Sequence, residues 1–141
     1  HIVDGNLPKH KIDGINIIEI LKGEKVNPRK EFYYYYGNNN LEAVRKDNWK
    51  LILPHNSRSY KGVLPNNDGF PGNYNSITTG LELYNLRRDP GEEYDVIKKY
   101  PNIAKELEEL AEKARSDMGD NLTGRKGINN RTHGKLWINT F

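Results

Sequence analysis

His55, Arg58 and Tyr60 fall on one short polar stretch, Pro54-His55-Asn56-Ser57-Arg58-Ser59-Tyr60, and carry groups suited to holding a hydroxylated or anionic ligand. An imidazole hydrogen-bonds a sugar hydroxyl, and a guanidinium grips a sulfate or carboxylate in two-point contact. A second polar stretch, Asn66-Asn67-Asp68-Gly69-Phe70-Pro71-Gly72-Asn73-Tyr74, follows closely. The same residues also fit a plainer role, in which His55 and Arg58 order a loop by bonding backbone carbonyls. Nothing comparable offers covalent chemistry. Cysteine is absent, which excludes thiolate catalysis, disulfide staples and Cys-based zinc sites. No catalytic and no metal-ligating position is assigned, and His55, Arg58 and Tyr60 are the candidate binding residues.

The rest of the chain must supply a frame for them. Its 141 residues suffice for one core but not for two. Only 35% of residues are hydrophobic and the mean hydropathy is -0.90, which implies a small core with long polar loops. Many of the 13 glycines and 7 prolines crowd into residues 54–80 and 119–134, where few apolar side chains offset the entropy of ordering. Those stretches are expected to need a partner surface. With 22 Lys plus Arg against 19 Asp plus Glu, the net charge of +3 describes a surface mixed in sign and only weakly suited to anions. No apolar run approaches the roughly 18 to 20 residues of a membrane helix, so no membrane partner is expected. The start, His1-Ile2-Val3-Asp4-Gly5, has neither an initiator Met nor a signal-peptide layout and reads as that of an excised fragment, with no compartment identified.

The periodicities predict an α+β layer pair. Asp13 can cap a short helix over residues 15–22, with Gly23 placed to stop it. Phe32 and Tyr33-Tyr34-Tyr35-Tyr36 make a first strand, and Gly37 with Asn38-Asn39-Asn40 makes a turn. Leu41 to Arg45 and Trp49 to Leu53 flank Lys46-Asp47-Asn48, which suits a hairpin with a three-residue loop. Trp49, Leu51 and Leu53 then share one face, and Pro54 ends the ladder. A fourth strand around Leu81, Leu83, Tyr84 and Leu86 follows a long loop. Asp89-Pro90-Gly91-Glu92 is turn chemistry, with glycine supplying the positive backbone angle. The clearest helix covers residues 102–117, with Pro101 in its first turn, Gly119 as its stop, and Ile103, Leu107, Leu110, Ala111, Ala114 and Met118 as its apolar stripe.

Four ordered stretches resemble the end of the arylsulfatase A-like family of type I sulfatases. They are Leu7-Pro8 with Ile12-Asp13-Gly14-Ile15; Ala43-Val44-Arg45 with Trp49-Lys50-Leu51; Glu82-Leu83-Tyr84-Asn85-Leu86 with Asp89-Pro90-Gly91-Glu92; and Met118-Gly119-Asp120. The resemblance implies the C-terminal subdomain of the sulfatase and alkaline-phosphatase-like fold: a small four-stranded antiparallel sheet on a C-terminal helix, with long loops. By this reading residues 1–30 are the tail of the catalytic domain with a short helix, 31–119 the subdomain, and 120–141 an extended arm. The polar stretches around His55, Arg58 and Tyr60 resemble the family's segment near the pocket mouth.

Type I sulfatases use a formylglycine made within a Cys/Ser-x-Pro-x-Arg motif, with a calcium ion held by acidic and amide side chains. No serine here begins that motif and there is no cysteine. The resemblance therefore implies calcium and formylglycine for the parent enzyme and neither for this piece. Its implied partners are the N-terminal catalytic domain of the same protein and a sulfated small molecule or glycan, and a bacterial parent would be periplasmic or secreted. Asn121-Leu122-Thr123 and Asn130-Arg131-Thr132 fit the N-glycosylation pattern, which matters only in a eukaryotic secretory protein. The rival is a free-standing module for anions or single-stranded nucleic acid, built on a tyrosine-bearing sheet face. The near balance of acids and bases speaks against it, and no nucleic-acid partner is expected. Within the family, a degenerate sulfatase or a related phosphoesterase remains the other alternative.

Overall fold

A computed structural model of the chain describes residues 9, 12, 14–24 and 27–130, which divide into two units between Lys30 and Glu31. The first unit contains one helical turn, α1 (Ile18–Leu21), shorter than the helix expected over 15–22. Its sequence explains the shortening, because Ile15, Ile17, Ile18 and Ile20 are β-branched and lose rotamer freedom in a helix. Asn16 Oδ1 accepts the Ile18 N–H at 3.0 Å, while Gly23, at φ +94°, stops the turn as expected. Asp13 lies outside the described residues, as do Leu7, Pro8 and the Arg131-Thr132 portion of the second glycosylation pattern.

The second unit runs β1 (Glu31–Tyr36), β2 (Asn40–Lys46), β3 (Trp49–Ile52), β4 (His55–Ser59), β5 (Asn75–Thr79), β6 (Glu82–Asn85), α2 (Pro101–Met118), β7 (Gly119–Asp120) and β8 (Arg125–Lys126). The main sheet has the order β1-β2-β3-β6 and is antiparallel throughout. This is the expected four-stranded sheet, with α2 laid across β2 and β3. The β2–β3 turn is tighter than the three residues anticipated. Lys46 pairs with Trp49, leaving only Asp47 and Asn48, and Asp47 takes the positive φ of +51° that such a turn demands.

Period-two alternation assigns the tyrosines to opposite faces. Tyr33 and Tyr35 pack on the core beneath α2, whereas Phe32, Tyr34 and Tyr36 take the other face. The core joins Leu41, Val44, Leu51, Leu53 and Leu83 of the sheet side to Ala104, Leu107, Leu110, Ala111 and Ala114 of α2. Ile103 and Met118 of the expected stripe are only partly buried, and Ala104 is the buried position the stripe omitted. Leu41 and Val44 are three apart, a spacing that strict alternation would place on opposite faces, yet both are fully buried. A bulge explains this: β1 continues from Tyr34 to Tyr35 while its partners jump from Ala43 to Leu41, so Glu42 has no residue opposite it.

Ion pairs and side-chain caps fasten this frame. Asp120, fully buried, accepts the Leu41 and Leu122 N–H groups on Oδ1 (3.2 and 3.0 Å) and Arg115 Nε on Oδ2 (2.9 Å). The carbonyls that α2 leaves unpaired at its end are met from β1 and its turn. Tyr35 Oη donates to Gly119 O at 2.9 Å, and Asn39 Nδ2 donates to Met118 O at 3.0 Å. Gly119 holds φ +82°, and a Cβ there would lie 2.7 Å from Gly127 N, so glycine is required both for the angle and for the return of β8. In the loop after β6, Asp89 accepts the Glu93 and Tyr94 amides, but the positive angle belongs to Glu92 (φ +56°) and not to Gly91. That twist carries Glu92 to Lys50, whose Nζ lies 2.7 and 2.9 Å from its two oxygens, so Lys50 is an anchored cation.

Removing the Asp120 carboxylate strands a guanidinium and two buried amides, so Asp120→Ala is expected to cost about 3 kcal/mol or more of stability in denaturant unfolding. Burial holds the Tyr33 and Tyr35 hydroxyls up at about 12, reinforced by the charges of Glu31 and Asp120 respectively. A folded-state value above the unfolded one near 10 stabilises the fold at lower pH and is lost as pH rises. Stability should therefore fall between about pH 10 and 12, and Tyr35→Phe should flatten that fall while costing about 1 kcal/mol at neutral pH. Unfolding curves collected across that pH range check both.

Candidate binding cleft

The segment 54–80 holds more order than its composition promised. His55–Ser59 and Asn75–Thr79 pair as an antiparallel hairpin, with His55 opposite Thr79 and Ser59 opposite Asn75, around a connection over residues 60–74. Thr78 Oγ1 donates to Asn56 Oδ1 at 2.9 Å across the ladder, and Ser57 and Thr79 hydroxyls meet at 3.4 Å. Gly72 lets the connection fold tightly, since a Cβ there would stand 2.8 Å from Leu64 O.

His55 lies at the root of this hairpin, with its side chain only 8% exposed. Its Nδ1 is 2.6 Å from Leu53 O and its Nε2 3.3 Å from Glu42 Oε2. Neither ring nitrogen is left for a ligand. The side chain ties β4 to the bulged residue of β2 and so sets where the hairpin stands.

Arg58 and Tyr60, by contrast, are exposed. The Arg58 guanidinium lies 5.4 Å from the centre of the Tyr74 ring, and Tyr60 meets the same ring edge-on at 6.4 Å. Among the described residues Arg58 forms no ion pair. Arg58 and Tyr74 line a cleft of about 560 Å³, closed on its other side by Tyr36, Gly37, Asn40 and Glu42. Its volume falls within the range of small-molecule sites. Of the three residues singled out from the sequence, Arg58 lines the cleft, Tyr60 flanks it through Tyr74, and His55 supports it from behind through Glu42.

Sequence reasoning included Tyr74 in the pocket-mouth stretch without naming it a binding residue, and it passed over Glu42. Tyr74 comes next to Tyr60 only through the hairpin register. The signal was a mirrored alternation, Asn56-x-Arg58-x-Tyr60 against Tyr74-x-Ser76-x-Thr78, partly hidden by the flanking proline and glycines. Glu42 is turned by the bulge, which leaves no mark in the residue pattern.

Among the described residues no group of three or more acidic or histidine side chains is placed to hold a metal ion. Asp120, the buried carboxylate, is committed to Arg115 and two amides. These residues do not fit a calcium site. On the tyrosine-bearing face of the main sheet, Lys50 lies 4.8 Å from the Tyr34 ring centre but is bound to Glu92, and Arg45, opposite Phe32, gives its Nε–H to Asp47 O.

The fold matches a solved structure described under the metabolism of multiple glycosaminoglycans by Bacteroides thetaiotaomicron, with a label ending in "sulf". The TM-score is 0.51 at 24% identity, over 78% of this chain but only 22% of that one. This chain thus corresponds to a minor part of a much longer protein. No curated protein matches it. The family model described as the C-terminal region of aryl-sulfatase matches residues 27–136, far more than half of the sequence and all of the sheet, hairpin and long helix, and the chain belongs to that family.

Proposed function

We propose that the parent protein is a sulfuric ester hydrolase acting on aryl or sugar sulfates, and that this chain is its structural and substrate-side subdomain. Membership of the aryl-sulfatase C-terminal family over residues 27–136 carries the reading. The chain has no Cys/Ser-x-Pro-x-Arg motif, and its described residues offer no metal cluster. The formylglycine and calcium proposed for the parent belong to polypeptide outside this chain, as does bond cleavage.

What this chain contributes is a shaped wall. The His55–Glu42 contact sets the hairpin, the hairpin presents Arg58 and Tyr60, and Arg58 supplies a positive charge to a polar cleft. An anionic ester drawn to that cleft would be oriented by a guanidinium free of protein carboxylates. Phe32 on the open sheet face, and Leu64 and Phe70 on the hairpin connection, are exposed large apolar residues. They support packing against the N-terminal catalytic domain, because such surface is rarely left in water without a partner.

Pure fragment given a chromogenic aryl sulfate should release product no faster than buffer, and measurable turnover would refute the assignment of chemistry to other segments. In the parent enzyme, His55→Ala should lower kcat/KM by about tenfold or more while moving the unfolding midpoint by only a few degrees. Wild-type kinetics in that variant would remove the hairpin from substrate handling.

A further inference from the structure

Several cations of the folded unit are spent on protein carboxylates: Lys46 on Glu106, Lys50 on Glu92, and Arg115 and Arg125 on Glu112. Arg58 is held differently, against the ring of Tyr74. A guanidinium stacked on an aromatic face keeps its in-plane N–H donors available, so it can still grip a planar anion two-point. Tyr74 and Tyr60 remain 53% and 52% exposed, although each is fixed by the edge-on contact between them. Half-exposed, immobilised rings suit the C–H faces of a sugar, which bind by apolar contact at little entropic cost.

The hairpin places polar groups beside these rings. Asn56 and Arg58 on β4 stand opposite Thr78 and Ser76 on β5, so one face of the ladder presents an amide, a guanidinium and two hydroxyls. Asn56 Oδ1 is occupied by the Thr78 hydroxyl, which orients the amide and leaves its N–H groups to donate outward. Glu42, the carboxylate lining the cleft, is engaged by His55, which reduces its repulsion of an incoming anion. A single aryl sulfate would use its one anionic group at the scissile centre, which lies on other polypeptide. Arg58 then answers to a different charge.

Resting on the substrate-side reading above, we propose that Arg58 and Tyr74 form a subsite for a sugar ring bearing a second anionic group, so that the parent enzyme reads a polyanionic glycan. That group is a carboxylate or a sulfate distinct from the ester to be cleaved. Arg58 pairs with the anion, Tyr74 stacks on the ring, and Asn56 and Ser76 take hydroxyls.

The test is equilibrium binding of the parent enzyme to three tetrasaccharides: a heparin-derived one with sulfate and carboxylate, an N-acetylheparosan one with carboxylate alone, and neutral chitotetraose. Wild type should bind the heparin-derived probe, and Arg58→Gln should weaken that binding by about tenfold or more without affecting chitotetraose or the unfolding midpoint. Tyr74→Ala should weaken every probe that binds. An Arg58 effect shared by the heparosan probe identifies the carboxylate as the recognised group, and one confined to the heparin-derived probe identifies sulfate. Unaltered binding in Arg58→Gln, no binding of either acidic probe by wild type, or a fall in unfolding midpoint showing that Arg58 serves the fold would overturn the subsite. Sulfate release from the heparin-derived probe is scored separately. Arg58-dependent binding with no sulfate release of any kind would leave the subsite standing and defeat the hydrolase reading.

Discussion

A single carboxylate joins the beginning and the end of the folded unit. Asp120 is fully buried, and its two oxygens serve the first core strand, the turn after the long helix, and the last helical arginine. A charge in that position is tolerable because both of its oxygens accept hydrogen bonds and one of the donors is a guanidinium. Its partners are far apart in sequence, so satisfying it requires the helix end and the start of β2 to arrive together. The rest of the frame depends on that meeting, since α2 can lie across β2 and β3 only if its last turn is seated there.

From this point further polar contacts fasten the frame. Tyr35 and Asn39 close the helix carbonyls next to Asp120. Lys50 and Glu92 then bind the loop after β6 to the sheet, and His55 and Glu42 bind the hairpin root to β2. Arg58 meets no carboxylate of the described chain and rests on an aromatic ring. A lean hydrophobic core is thereby supplemented by charge pairs wherever a loop must hold a fixed direction. Surface pairs of this kind add little stability singly, and their value here is geometric.

The main sheet and the long helix were legible because local rules and tertiary packing agree there. Alternating Trp49, Leu51 and Leu53, the Gly37-Asn turn and the stripe from Leu107 to Ala114 each point to the observed element. Legibility failed where one residue changes the phase or where pairing is remote. The turn at Asp47 and Asn48 is one residue shorter than read because Asp47 adopts the left-handed region itself. Glu92 does the same in place of Gly91, helped by its ion pair with Lys50. The hairpin of β4 and β5 escaped notice because its strands are polar on both faces, leaving no hydrophobic period to detect. His55 and Arg58 were visible as residue types, but which one turns inward is decided by the position of Glu42.

The bulge in β2 separates two tasks of that strand, enclosing the interior and holding the hairpin root. Excising Glu42 would leave Leu41 and Val44 two positions apart, so that plain alternation would keep both on the core face, but it would take away the carboxylate that His55 contacts. A change of side chain at the same position would disturb the contact with His55 and leave the interior whole. The extra residue therefore serves the hairpin rather than the interior, because what its loss removes is the anchor of the hairpin root and not the enclosure of the core.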